Sequence, residues 1–132
     1  MNAVTQICAA LASVILIAVF PAEAFFIGRP SVQRFLGVEP ERLEDVHLWS
    51  FNIGFRNALA GVGTLIGLVM VNTGDVATGT VVVVVGLVYM LGTALAMGLS
   101  DLLGYWRPRG GSVRGTLASS VLPAGALVAL AV

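Results

Sequence analysis

Seven side chains could do chemistry in this sequence: Glu23, His47, Asn52, Arg56, Asn57, Tyr89 and Asp101. Asn52, Arg56 and Asn57 stand within about two helical turns at the mouth of an apolar run, in HLWSFNIGFRNALAGVGTLIG from His47 to Gly67. A guanidinium at the centre of a bilayer costs about 3 kcal/mol on insertion scales, so Arg56 must snorkel or find a partner. On a helix, residues three or four apart share a face, so Asn52, Arg56, Ala60, Gly63 and Gly67 are expected to form one stripe, polar first and small after it. Two uses of the polar group are open. One is a hydrogen-bonded cluster that locks helices together. The other is a ligand pocket in which Arg56 supplies charge, Asn52 and Asn57 orient the ligand, Glu23 balances Arg56, and Asp101 joins from the end of a neighbouring helix.

The remaining candidates carry two readings each. Glu23 is either an interfacial carboxylate solvated by headgroups or the ion-pair partner of Arg56. His47 is either a solvated interfacial residue or a cofactor ligand. With no second histidine in the chain, a bis-His haem site within one chain is excluded. Tyr89 shares a face with Thr93, and a tyrosine inside a membrane needs a hydrogen-bond partner, which Thr93 or a polar residue of a neighbouring helix would provide. No spacing of metal-ligating residues is present, and the single cysteine, Cys8, makes no internal disulfide.

The elements that must position these groups follow from composition. The chain has 132 residues, 58% hydrophobic and 11% charged, against about 25% charged in a soluble domain. Its net charge is zero and it has no basic tract, which argues against nucleic acid as a partner. Four apolar runs are long enough to cross a hydrocarbon core of ~30 Å. They are placed at about residues 4–26, 50–71, 76–99 and 113–132 and make one integral membrane domain over 1–132. Ala22-Glu23-Ala24 has the look of a signal cleavage site, but no basic residue precedes the first run, so that run is read as a retained helix. Five consecutive valines, Val81 to Val85, would suit a strand in water. In lipid, backbone groups must be satisfied within the segment, which favours helix.

Between the first two spans, Arg29-Pro30 opens a short piece, Ser31 to Gly37, expected to form one or two turns of interfacial helix with Gly37 as its C-cap. Glu39-Pro40-Glu41 then opens a helix that runs into the second span. Asn72-Thr73-Gly74-Asp75 is a tight turn. The predicted fold is therefore an all-α, four-helix transmembrane bundle. Arg29, Arg34, Arg42, Arg107, Arg109 and Arg114 lie in or beside the first and third loops, and Arg56 enters its helix from that side. The positive-inside rule puts those loops in the cytoplasm and both termini outside, in a bacterial inner membrane. Trp49, Tyr105 and Trp106 fall on the same side, as an aromatic belt would. Gly63-x-x-x-Gly67 and Ala94-x-x-x-Gly98 are expected to permit close helix contact.

Glu23 near the end of the first helix, Phe35-Leu36-Gly37, the core FNIGFRNALAG from Phe51 to Gly61, and Pro123 in the last span together resemble the small membrane proteins grouped as domain of unknown function 1304. The resemblance covers nearly the whole chain and implies a four-helix integral membrane protein, with no activity to carry over. It also implies an aromatic residue at the position of Arg56 and a histidine at that of Ile17, and the chain departs at both. A Glu23–Arg56 pair would thus be a local variant.

Three functions fit. The first is a structural or accessory membrane protein, self-associating or attached to a larger complex, which short loops and small-residue tracks favour. The second is a membrane-embedded enzyme, isomerase-like, acting on an apolar molecule with a cofactor at His47. The third is a small multidrug-type transporter, which such proteins build on a carboxylate deep in the first helix, whereas Glu23 lies near the end of its own.

Overall fold

Local signals set the ends of each helix. The computed structural model describes residues 1–132 and contains five α-helices and no strand. Asn2 caps α1 (Ala3–Ala24) by accepting from the Thr5 amide at 2.9 Å. Pro21 sits in its last turn, and both Phe25 and Phe26 return their amides to the Pro21 carbonyl, closing the helix. The short α2 (Pro30–Leu36) begins with proline and ends at Gly37, whose φ of 69° is open to glycine at little cost. A 3-10 turn at Pro40–Arg42 leads directly into α3 (Leu43–Thr73), an unbroken helix of 31 residues. Gly74 ends it, and Asp75 caps α4 (Val76–Leu102) by accepting from the Thr78 amide. The last helix is α5 (Val113–Ala131). A short helix after Pro30 and the continuous run from Pro40 into the second span match the expectations, while α4 continues through Ser100 and Asp101.

The four long helices, each apolar enough to cross a membrane, close into a ring. α3 packs on α1 and α4, and α5 packs on α4 and α1. Neighbours in the ring are antiparallel, so the first and third loops share one end. The Trp106 indole lies there between Gly37 and Gly111, and a β-carbon at Gly37 would meet its Cζ2 at 3.4 Å. At the opposite end, Asn72 donates to Gln6 Oε1 at 2.9 Å and the Asn2 amide reaches the Ala129 carbonyl.

The interior is built from small and medium residues: Ala9, Leu68, Val83, Leu87 and Ala126 form its core. Most large apolar side chains point outward. This is expected in lipid, where hydrocarbon solvates leucine as well as the protein interior does and association depends on close packing. Packing is closest where glycines remove the side chain. A β-carbon at Gly61 would stand 2.8 Å from the Ser13 carbonyl of α1, and one at Gly79 would stand 2.7 Å from the Gly67 carbonyl of α3. Gly98 meets a side chain instead, that of Thr116 of α5, whose Cγ2 a β-carbon would approach to 3.1 Å. The buried hydroxyls of Ser13 and Thr64 are satisfied along their own helices, on the Ala9 and Ala60 carbonyls.

This pattern corrects the expected small-residue track. Gly67 is at a helix contact, but Gly63 faces open space. The inward face of α3 runs through Gly54, Asn57, Gly61, Thr64 and Leu68, of which all but Asn57 are buried. At 100° per residue, the centre of this face lies about 120° round the helix from Arg56, little more than one residue's turn. The close approaches at Gly54 and Gly61 decide the rotation.

Candidate functional site

The last turn of α1 lays Glu23 against α3. Ser50, Gly54 and Asn57 are spaced at i, i+4 and i+7 and share one face of α3. Ser50 donates its hydroxyl to the Glu23 backbone carbonyl at 2.8 Å. Gly54 leaves room for the side chain: a β-carbon there would lie 2.9 Å from both Cβ and Oε2 of Glu23. Asn57 turns its amide toward the carboxyl group. Oε2 itself is fully occluded and accepts no hydrogen bond, a state shared only by the Thr116 hydroxyl.

Four phenylalanines close over this seam. Phe20 meets Phe25 edge to face at 5.6 Å between centroids and Phe55 at 6.0 Å. Phe25 meets Phe51 at 6.2 Å, and Phe51 stacks parallel to Phe55 at 6.4 Å. Edge-to-face pairs of this kind favour the ring quadrupoles. Phe25, Phe51 and Phe55 are also exposed on the outer surface. Ser50, Gly54 and these four rings were not among the residues singled out from the sequence. The signal was present in the spacings 50, 54, 57 and 51, 55, once the face of α3 toward α1 is known.

The structure does not bring the other candidates here. Arg56 is exposed and makes no ion pair; the one ion pair in the chain is Arg42 with Glu39, at 3.1 Å and solvent-exposed. The expected Glu23–Arg56 pair is thus absent, because Glu23 of α1 packs on the Gly54 face of α3 while Arg56 leaves α3 on its exposed side. Arg29 lies over the Phe26 ring at 4.4 Å and Arg34 donates to the Pro30 carbonyl. Asn52 donates back to the Leu48 carbonyl of its own helix at 2.8 Å. His47 is exposed. Tyr89 faces outward, and Thr93 does not reach its phenol but donates to the Tyr89 and Met90 carbonyls. Exposed Arg56 has room to snorkel, so Arg56→Gln is expected to change bundle stability by no more than about 0.5 kcal/mol, checked by thermal loss of helicity in detergent.

Asp101 has a separate task. Its carboxylate accepts from the Gly110 amide at 2.9 Å, the Ser112 amide at 3.0 Å and the Ser112 hydroxyl at 2.7 Å. It fastens the turn that leads into α5, and it does not join the Glu23 group. No three His, Cys, Asp or Glu side chains gather as a metal site would require.

A ring of four membrane-length helices with short connections, small interior residues and one polar seam defines a small multi-pass membrane protein. The chain matches the family described as "Protein of unknown function (DUF1304)" over residues 10–131, and it belongs to that family. No curated protein and no solved structure matches it.

Proposed function

We propose that this chain is a self-associating protein of the bacterial inner membrane with a structural or accessory role. Its first and third loops would be cytoplasmic and its termini outside, as the arginines of those loops favour. The observation that carries the reading is Tyr89. Its side chain points out of the bundle and its hydroxyl has no partner within the chain. At 1.5 Å per residue it lies about 20 Å from the Asp75 end of α4, which is inside the hydrocarbon. A lone phenol in lipid is unfavourable, and a second helix packed on this face would supply its partner. Gly92 faces open space on the same side and Thr93 is exposed beside it, so a neighbouring backbone has room to approach.

The test is native mass spectrometry of the protein extracted in mild detergent. A defined homo-oligomer is expected, and Gly92→Leu is expected to shift it to monomer while helicity is kept. A wild-type chain that is monomeric in this spectrum, and that gives no cross-linked species in its own membrane, would overturn the reading. The enzyme reading has less support. His47, Tyr89 and Asp101 face different directions, so no acid and base converge on one point.

A further inference from the structure

Glu23 is a carboxylate drawn into a helix seam with no cation to answer its charge. Each neighbour that could do so is engaged elsewhere. The Ser50 hydroxyl is used by the Glu23 backbone carbonyl. Gly54 has no side chain. Arg29 lies on Phe26 and Arg56 points away. Asn57 approaches the carboxyl group and still leaves Oε2 without a donor. A buried acceptor in this condition is costly, more so when it can carry charge. Beside it stand four aromatic rings, three of them open to the membrane. Ring faces attract cations, and the more so where water is excluded. The site lies at the end of the bundle where the arginine-rich loops gather, so it is close to the headgroup level.

We propose that Glu23, Asn57 and the cluster of Phe20, Phe25, Phe51 and Phe55 bind the protonated amine of an amphipathic molecule. The ammonium would donate to Glu23 Oε2, brought to the edge of the seam by rotation of the half-buried Glu23 side chain, and the apolar tail would lie along the exposed phenylalanines. This goes beyond self-association and does not depend on it. The orphaned oxygen sets the selectivity. A primary ammonium carries N–H donors, whereas a trimethylammonium of equal charge carries none. Two sources share this chemistry: a free alkylamine, and the headgroup of phosphatidylethanolamine.

The experiment uses the full chain in mild detergent. Binding of dodecylamine is compared with that of dodecyltrimethylammonium by calorimetry, and native mass spectra are taken after reconstitution with equal amounts of phosphatidylethanolamine and phosphatidylcholine. A charge-assisted hydrogen bond predicts about tenfold tighter binding of dodecylamine. That preference is expected to vanish in Glu23→Gln and in Gly54→Ala, whose new methyl group would press on Oε2. Retention of phosphatidylethanolamine over phosphatidylcholine would assign the site to a lipid headgroup; amine selectivity without it would assign the site to a free amine. Equal affinity of the two detergent-like cations, together with equal retention of the two lipids, would overturn the proposal. The wild-type comparison decides even if a variant fails to fold.

Discussion

Leucine in place of Gly79 is expected to force α3 and α4 apart and to destabilise the bundle by about 3 kcal/mol. The reason is the nature of the atoms that would be struck. A β-carbon at Gly79 would stand 2.7 Å from the Gly67 carbonyl oxygen and equally close to the Val71 amide nitrogen. Both belong to the backbone, so no rotamer change relieves the clash and the whole helix must shift. The contact is reciprocal, since a β-carbon at Gly67 would stand 3.0 Å from the Gly79 carbonyl. Equilibrium unfolding by a denaturing detergent, followed by circular dichroism, gives the number. Gly63→Leu is the control: Gly63 has nothing within 4 Å of its missing β-carbon, and its replacement is expected to cost no more than about 0.5 kcal/mol. Equal losses in the two variants would refute the packing of α3 on α4 described above.

The second large effect is expected at Asp101. Its alanine variant strands two amides and a hydroxyl that now converge on one carboxylate. Hydrogen bonds to a charged acceptor are stronger than neutral ones, and here three of them hold a turn against the end of α4. Without them the turn should open locally while the helices stay packed. Limited trypsin digestion reads this directly, because Arg109 lies in the turn. Cleavage after Arg109 is expected to quicken by about an order of magnitude in Asp101→Ala, and to fall between the two in Asp101→Asn, which keeps one acceptor oxygen. An unchanged cleavage rate would mean that the turn is held by something other than Asp101.

The four helices were legible in the sequence because a bilayer leaves few alternatives: a long apolar run must satisfy its own backbone. The turn ends were legible for a similar reason, since Gly37 and Asn72-Thr73-Gly74-Asp75 carry local chemistry that needs no tertiary context. What could not be read was the rotation of each helix about its axis. In water, a polar face and an apolar face give it away. Here α3 is apolar nearly all round, and the inward side is marked by the absence of side chains at Gly54 and Gly61. The sequence offers Gly63 and Gly67 as an equally good track, and Arg56 invites the assumption that charge points inward. Only the neighbours decide between the tracks, and one residue of error in the assignment moved Asn57 to the seam and Arg56 out of it. Asp101 was misread for a related reason. Its partners lie at Gly110 and Ser112, across a turn whose path the sequence does not announce.

The crossing of Gly67 with Gly79 also bears on how the chain enters the membrane. The two glycines flank one tight bend and are close in sequence as well as in space, so little loop entropy opposes their meeting. The α3–α4 pair can therefore close as a helical hairpin before α1 and α5 have found their places, and contacts of this local kind form early. Hairpin closure presents α1 with a finished face bearing Gly54 and Gly61. The seam around Glu23 would then be among the last parts of the bundle to assemble, after both of its walls have already crossed the bilayer.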